Sequence, residues 1–243
     1  MATDSAKILV VDDDPAIRNL VHRFLTQKNY QVESAADGKS ALNSFDTFHP
    51  DLVILDVNLP DALGYNLCEE MQRRTDVFVL MLTSRTDTED KAIGFRKGAD
   101  DYLTKPFDLQ ELEFRVGAIL KRQRSVSAAA EKQPLVFGHL VIDPERREVK
   151  VNNQPISFTA LEFDLLYFLA THPGEALSRP RLITEVWDYD QMVGDQRVVD
   201  VHIGQIRKKI DANSTQPSLI KTIRGYGYRF EVPSNLSSDE KRS

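Results

Sequence analysis

Ile8-Leu9-Val10-Val11-Asp12-Asp13-Asp14-Pro15 decides the fold of this chain: four apolar residues run straight into three carboxylates and a proline. A near-continuous apolar run of this length suits a strand buried on both faces, as in a parallel sheet. Pro15 fits the first turn of a following helix, where a missing N–H costs nothing. The same alternation recurs through the first 122 residues. Further strands are expected at Val32–Ala35, Leu52–Leu55, Phe78–Leu82 and Tyr102-Leu103. The intervening helices are expected at Pro15–Gln27, Lys39–Phe48, Tyr65–Arg74, Thr88–Lys97 and Leu109–Arg122. Five βα units predict a doubly wound α/β domain with a five-stranded parallel sheet, which takes ligands at the carboxyl ends of its strands.

The pattern changes after residue 122. Residues 123–134, which include Ser125-Val126-Ser127-Ala128-Ala129-Ala130, hold no apolar period and predict a linker. Residues 135–233 predict a smaller α+β domain. Alternating Leu135–Ile142 and Glu148–Val151 suggest antiparallel strands. Three helices follow, at Thr159–Thr171, about Arg179–Trp187 and Asp195–Ile210. Thr159 with Glu162 three residues on spells a capping box, and Asp195 is a natural N-cap for the third helix. A final hairpin spans Leu219–Val232, turning at Gly225-Tyr226-Gly227, and residues 234–243 predict a disordered tail.

Charge is unevenly spread. The chain carries a net −6, yet Arg197–Arg229 holds seven basic residues (Arg197, Arg207, Lys208, Lys209, Lys221, Arg224, Arg229) against Asp200 and Asp211. Such a local surface can face phosphate. No stretch approaches the roughly 20 apolar residues of a membrane span, and Met1-Ala2-Thr3-Asp4-Ser5 has no signal-peptide pattern. The single Cys68 cannot build a disulfide framework and is expected to be a packing residue. A cytoplasmic location is expected.

Four features fall at strand carboxyl ends. Asp12 and Asp13 end the first strand, Asp56 the third and Thr83 the fourth, and Lys105 follows the fifth. Carboxylates crowded together repel and need a compensating cation. An all-oxygen cluster without His or Cys suits Mg²⁺. An aspartate can attack phosphorus, and phosphoryl transfer asks mainly for positioning and charge neutralisation. Asp14 has the simpler task of capping the first helix.

The stretches Ile8–Asp14, Leu55-Asp-Val-Asn-Leu-Pro60, Leu82-Thr-Ser84 and Gly98–Phe107 resemble the flavodoxin-like receiver domain of two-component response regulators. The resemblance implies Asp56 as acceptor of a phosphoryl group from a sensor histidine kinase. It implies Mg²⁺ on Asp13, Asp56 and the Asn58 carbonyl, with Asp12 acting through water, and a cis Lys105-Pro106 peptide. By the same resemblance Thr83 and Tyr102 act as switch residues, with Tyr102 swinging inward on phosphorylation. Phosphorylation then drives a homodimer. Lys91 with Glu111 and Asp101 with Arg115 match its intersubunit ion pairs, and Ala92, Phe95 and Phe114 its apolar centre. One departure is Leu63-Gly64, where relatives commonly carry Asp-Gly beside the acceptor loop.

In Asp195–Ile210, Val199, Ile203, Ile206 and Ile210 recur at helical spacing as the buried stripe. Arg197, His202, Gln205, Lys208 and Lys209 are expected to look outward, into a major groove that Arg and Gln can read. Gly204 costs the helix about 1 kcal/mol against Ala, and close backbone approach to DNA would account for it. The basic hairpin tip could place Arg224 in a minor groove. Leu161–Leu166, Val199-Asp-Val-His-Ile203 and Arg224–Phe230 resemble the winged-helix effector of the OmpR/PhoB subfamily. That resemblance adds Arg207 and Tyr228 to the DNA contacts, promoter direct repeats as target, and RNA polymerase as a partner of the Asp188–Gly194 loop.

The favoured reading is a phosphorylation-gated, dimerising transcription factor, with no enzymatic role beyond its own phosphotransfer and dephosphorylation. A receiver acting as a constitutive dimerisation module is the alternative. An aspartyl-phosphate hydrolase would usually carry a second carboxylate where Asn58 stands. A dinucleotide-binding enzyme would need a glycine-rich turn where Asp12-Asp13-Asp14 would repel pyrophosphate.

Overall fold

The computed structural model describes residues 5–75, 77–84, 98–127, 133–188, 196–212 and 217–232. The chain divides into two compact units, Met1–Ser125 and Val126–Ser243. In the first, β1 (Lys7–Val11), β2 (Gln31–Ala35), β3 (Leu52–Asp56), β4 (Phe78–Thr83) and β5 (Asp101–Thr104) form one sheet in the order β2-β1-β3-β4-β5. Every pairing is parallel. The central apolar runs are sealed off: Ile8–Val11 and Leu52–Leu55 have no exposed surface. That explains why they lack the period-2 alternation of a half-exposed strand.

Described helices of this unit are α1 (Pro15–Gln27), α2 (Gly38–Phe48), α3 (Gly64–Arg74) and α4 (Leu109–Ser127). Asp14 caps α1 by accepting from the Ala16 N–H at 2.7 Å. The helix expected at Thr88–Lys97 lies outside the described residues. Helix α4 continues through Ser127 rather than yielding to linker at Arg122. Lys, Arg and Gln carry a helix by propensity without any apolar period, so periodicity alone ended it too soon. Cys68 is fully buried, and burial raises its thiol well above the ordinary value. This matches a packing role.

The second unit opens with β6 (Leu135–Phe137), β7 (Leu140–Asp143), β8 (Glu148–Val151) and β9 (Gln154–Ile156), an antiparallel meander. Helix α5 (Ala160–Thr171) starts with the expected capping box between Thr159 and Glu162. Helix α6 (Arg179–Leu182) runs into a π-turn, Ile183–Trp187, whose Trp187 is fully buried. Helix α7 (Arg197–Asp211) has Gln196 at its N-cap with no side-chain bond, so the position expected for Asp195 is filled one residue later. The closing hairpin, β11 (Ile220–Ile223) and β12 (Gly227–Phe230), gains a third strand, β10 (Leu177–Ser178). Two residues leave no alternation to find. The structure shows why Gly227 stands at this pairing: a Cβ there would sit 2.0 Å from the Leu177 carbonyl oxygen. The architecture is a winged helix of α+β class.

Candidate functional site

Strand ends bring the expected acidic residues together. Asp12 and Asp13 follow β1, Asp56 closes β3, Thr83 closes β4, and Lys105 follows β5. Asp12, Asp13 and Asp56 each offer a carboxylate oxygen within 4.8 Å of the others. The Lys105 ammonium donates to Asp12 Oδ2 at 2.7 Å and to Asp56 Oδ2 at 2.8 Å. Asp12 is fully buried, Asp56 and Thr83 nearly so, and Asp13 faces solvent. The Lys105-Pro106 peptide is cis.

Burial pushes the Asp12 acid up, against the pull of Lys105. Burial alone would lower the Lys105 ammonium, but its bonds to Asp12 and Asp56 hold it above the ordinary value. The lysine is therefore a fixed positive charge shared by two buried carboxylates. One lysine against three carboxylates leaves the cluster electron-rich. An all-oxygen donor set of this spacing fits a hard divalent cation such as Mg²⁺.

The backbone around Asp56 is shaped for it. The Asn58 N–H donates to Asp56 Oδ1 at 3.3 Å, and Gly64 N–H to the Val57 carbonyl at 2.8 Å. A Cβ on Gly64 would lie 2.1 Å from the Asp56 carbonyl oxygen, so only glycine lets the chain return this close. Two further residues were missed from sequence. Arg18, one turn into α1, donates to the carbonyls of Asp12 at 2.6 Å and Asp13 at 3.2 Å, pinning the acidic loop. Asp61 accepts from the Gly38 and Lys39 N–H groups of α2. Only the spacing of Arg18 from Asp12-Asp13 hinted at the first, and nothing local hinted at the second.

Tyr102 is already inside, 6% exposed. Burial also raises its phenol above the ordinary range. Of the expected dimer face, Lys91, Ala92 and Phe95 lie outside the described residues. Phe114 is exposed as expected. Within one chain, Arg115 Nη1 meets Asp101 Oδ2 at 2.5 Å and Nη2 meets Glu111 at 2.6 Å. Both side chains of the first pair are buried where β5 faces α4.

On α7, Val199, Ile203, Ile206 and Ile210 are fully buried, as the period requires. Arg197 and Lys208 are exposed, Gln205 half-buried, and Arg224 exposed at the hairpin tip. Among the described residues, no atom outside the helix's own backbone lies within 4 Å of a Cβ built on Gly204, so none of them demands glycine there. The outward set shrinks elsewhere. His202 is 1% exposed, its ring 5.6 Å from that of Trp187, because α7 buries more than its apolar stripe. Lys209 pairs with the buried Glu162 and sits over the Phe158 ring. Arg207 donates to the Ile220 carbonyl and to Thr222 Oγ1, tying α7 to the hairpin. Tyr228 is buried, and its hydroxyl donates to Asp200 Oδ1 at 2.6 Å. Burial first, then that bond, pushes its phenol up to about 12. The Asp188–Gly194 loop lies, apart from Asp188, outside the described residues.

Comparison with known proteins bears on both units. Residues 8–116 match the response regulator receiver domain, and residues 153–230 match the C-terminal domain of transcriptional regulatory proteins. The chain is 42% identical to the alkaline phosphatase synthesis transcriptional regulatory protein PhoP of Bacillus subtilis, over 93% of this chain and 97% of that one. It is 41% identical to the probable transcriptional regulator ycf27 of Cyanophora paradoxa, over 97% of this chain and all of the relative. Among solved structures it resembles the response regulator DrrB, an OmpR/PhoB homologue of Thermotoga maritima, at 37% identity and a TM-score of 0.50, covering 93% of this chain and 99% of that one.

Proposed function

The chain belongs to the OmpR/PhoB-type response regulators, DNA-binding proteins of two-component signalling, and from that premise we propose that Asp56 is its phosphoacceptor. An Asp56 carboxylate oxygen bonds to the phosphorus of a sensor kinase's phosphohistidine. The phosphorus–nitrogen bond breaks, and the departing imidazole keeps the electron pair. Asp12, Asp13, Asp56 and the Asn58 carbonyl would hold Mg²⁺, which supplies charge neutralisation at the phosphoryl oxygens. Lys105 adds the second positive charge, and the Thr83 hydroxyl donates to a phosphoryl oxygen. What supports this reading is that Lys105 already bridges Asp56 and Asp12, at 2.8 and 2.7 Å.

Phosphorylating Asp56 changes one of the two carboxylates that fix Lys105, and the rearrangement reaches Thr83 and Tyr102 beside it. The outcome is a homodimer through the face around Phe114, binding promoter direct repeats with one α7 per half-site. Arg197, Gln205 and Lys208 meet the major groove and Arg224 the minor groove. RNA polymerase meets the loop after Trp187. Among the described residues no helix is long and apolar enough to cross a membrane, and the protein works in the cytoplasm. The only chemistry assigned to it is its own phosphotransfer and dephosphorylation.

Beryllofluoride, which stands in for the phosphoryl group on a carboxylate, tests the gate. With Mg²⁺ it should raise both the solution mass, towards a dimer, and the affinity for repeat DNA. If mass and affinity stay unchanged, the receiver is a constitutive dimerisation module instead.

A further inference from the structure

We infer that Asp61 is a positioning residue of the acceptor site, latching the loop that carries Asn58 onto the start of α2; this rests on the phosphoacceptor reading above. The backbone of that loop is wound tightly between two fixed ends. Asp56 and Val57 hold one end in the sheet, the Val57 N–H donating to the Leu82 carbonyl at 3.1 Å. Gly64 holds the other, packed against the Asp56 carbonyl. Between them, the Leu59 N–H donates to the Ala62 carbonyl at 3.2 Å, and Asn58 and Leu63 form a single antiparallel bridge.

A loop followed by a helix is ordinarily anchored by a side chain at the helix N-cap. Here that position is Leu63, which makes no capping bond and is half exposed. The anchor stands two residues earlier and points to a different helix. Asp61 Oδ1 accepts from Gly38 N–H at 2.7 Å, and Oδ2 from Lys39 N–H at 3.0 Å. Asp37 accepts from Ser40 N–H at 2.8 Å, and its carbonyl from Ala41 N–H at 3.0 Å. Ala41 thus makes the first bond of the helix, while the Gly38, Lys39 and Ser40 N–H groups, which have no partners within it, are divided between the Asp37 side chain and a carboxylate more than 20 residues away. Ala62 packs beside Gly38, where a Cβ would lie only 3.2 Å from the Ala62 Cβ. The contact is close enough to fix the height of the loop over the sheet edge.

Asn58 stands within this loop, and its carbonyl is the one metal ligand the reading takes from backbone. A backbone ligand has no side-chain rotamer to adjust. Its place is set by whatever holds the loop, and among the described residues Asp61 is the side chain that ties the loop to another element of the domain. Helix α2 therefore sets the geometry of a site to which it contributes no ligand. The N-terminal end of α2 also favours a carboxylate electrostatically, and these bonds hold the Asp61 acid below its ordinary value.

The test uses the full chain and Mg²⁺ alone, read from the rise in melting temperature with Mg²⁺ concentration. Asp61→Ala should weaken apparent Mg²⁺ affinity by about tenfold, the low end for groups that hold a metal ligand in place. Asp61→Asn keeps an acceptor and should fall between. Phosphorylation by acetyl phosphate should be slowed at low Mg²⁺ and regain the wild-type rate at saturating Mg²⁺. Wild-type Mg²⁺ affinity in Asp61→Ala, with only a lower melting temperature, would overturn the inference and leave Asp61 a plain helix cap. A wild-type chain that takes neither Mg²⁺ nor phosphoryl groups would instead overturn the phosphoacceptor reading itself.

Discussion

The acidic pocket and the outer face of α7 both gather charged side chains, but they do so under different rules. In the pocket, every charge sits at the carboxyl end of a parallel strand. The sheet alone decides who meets whom: Asp12 and Lys105, 93 residues apart in sequence, end 2.7 Å apart. On α7 the helical period decides only which residues leave the apolar stripe. What the others then meet is set by Trp187, Glu162 and the hairpin. A strand end is an address, whereas the polar side of a helix is merely a direction. This is why all the expected pocket carboxylates converge while His202 and Lys209 turn out to be held inside their own domain.

The contrast can be broken or sharpened by mutation. The largest effect is expected where backbone itself forms the address. Gly64→Ala forces a Cβ into the Asp56 carbonyl and should cost about 1–3 kcal/mol, as overpacking does, together with most phosphorylation. Chemical denaturation and labelling by acetyl phosphate check both, and near-normal values would mean that the loop shifts freely.

On α7 the comparison predicts a split between two residues once treated alike. His202→Ala should lose about 1–3 kcal/mol of stability with the salt dependence of DNA binding intact. Lys208→Ala should leave stability alone, weaken binding evenly across sequences and reduce the salt slope by about one. Matching salt slopes in the two variants would return His202 to the DNA surface.

A smaller effect tests the charge balance in the pocket. Burial raises the Asp12 acid, so ionising Asp12 costs more in the metal-free fold than in the unfolded chain. The cost of ionising it is absent at low pH and appears as pH rises through the Asp12 pKa. At neutral pH, Asp12→Asn should therefore raise the metal-free melting temperature slightly and remove much of the stabilisation by Mg²⁺. A lower metal-free melting temperature would show that the Lys105 bond outweighs burial.

Much of this was legible in the sequence because the decisive signals are local. Continuous apolar runs marked the parallel strands, and the residues just past the first, third, fourth and fifth of them marked the pocket. Thr159 and Glu162 marked the start of α5 by their spacing. The two-residue β10 was not legible, since a strand that short has no period. Nor was the Asp61 contact with α2, which joins residues 22 and 23 positions apart and has no pattern of its own. The Asp101–Arg115 pair shows a third limit. Both residues were found, but sequence cannot say whether two complementary charges close within one chain or between two.

The phosphoryl group's own position is the most direct test. After incubation with acetyl phosphate and Mg²⁺, mass spectrometry of the wild-type chain should locate one phosphoryl group on Asp56, and Asp56→Asn should carry none. A phosphoryl group mapped to another residue, or labelling undiminished in Asp56→Asn, would contradict the account at its centre.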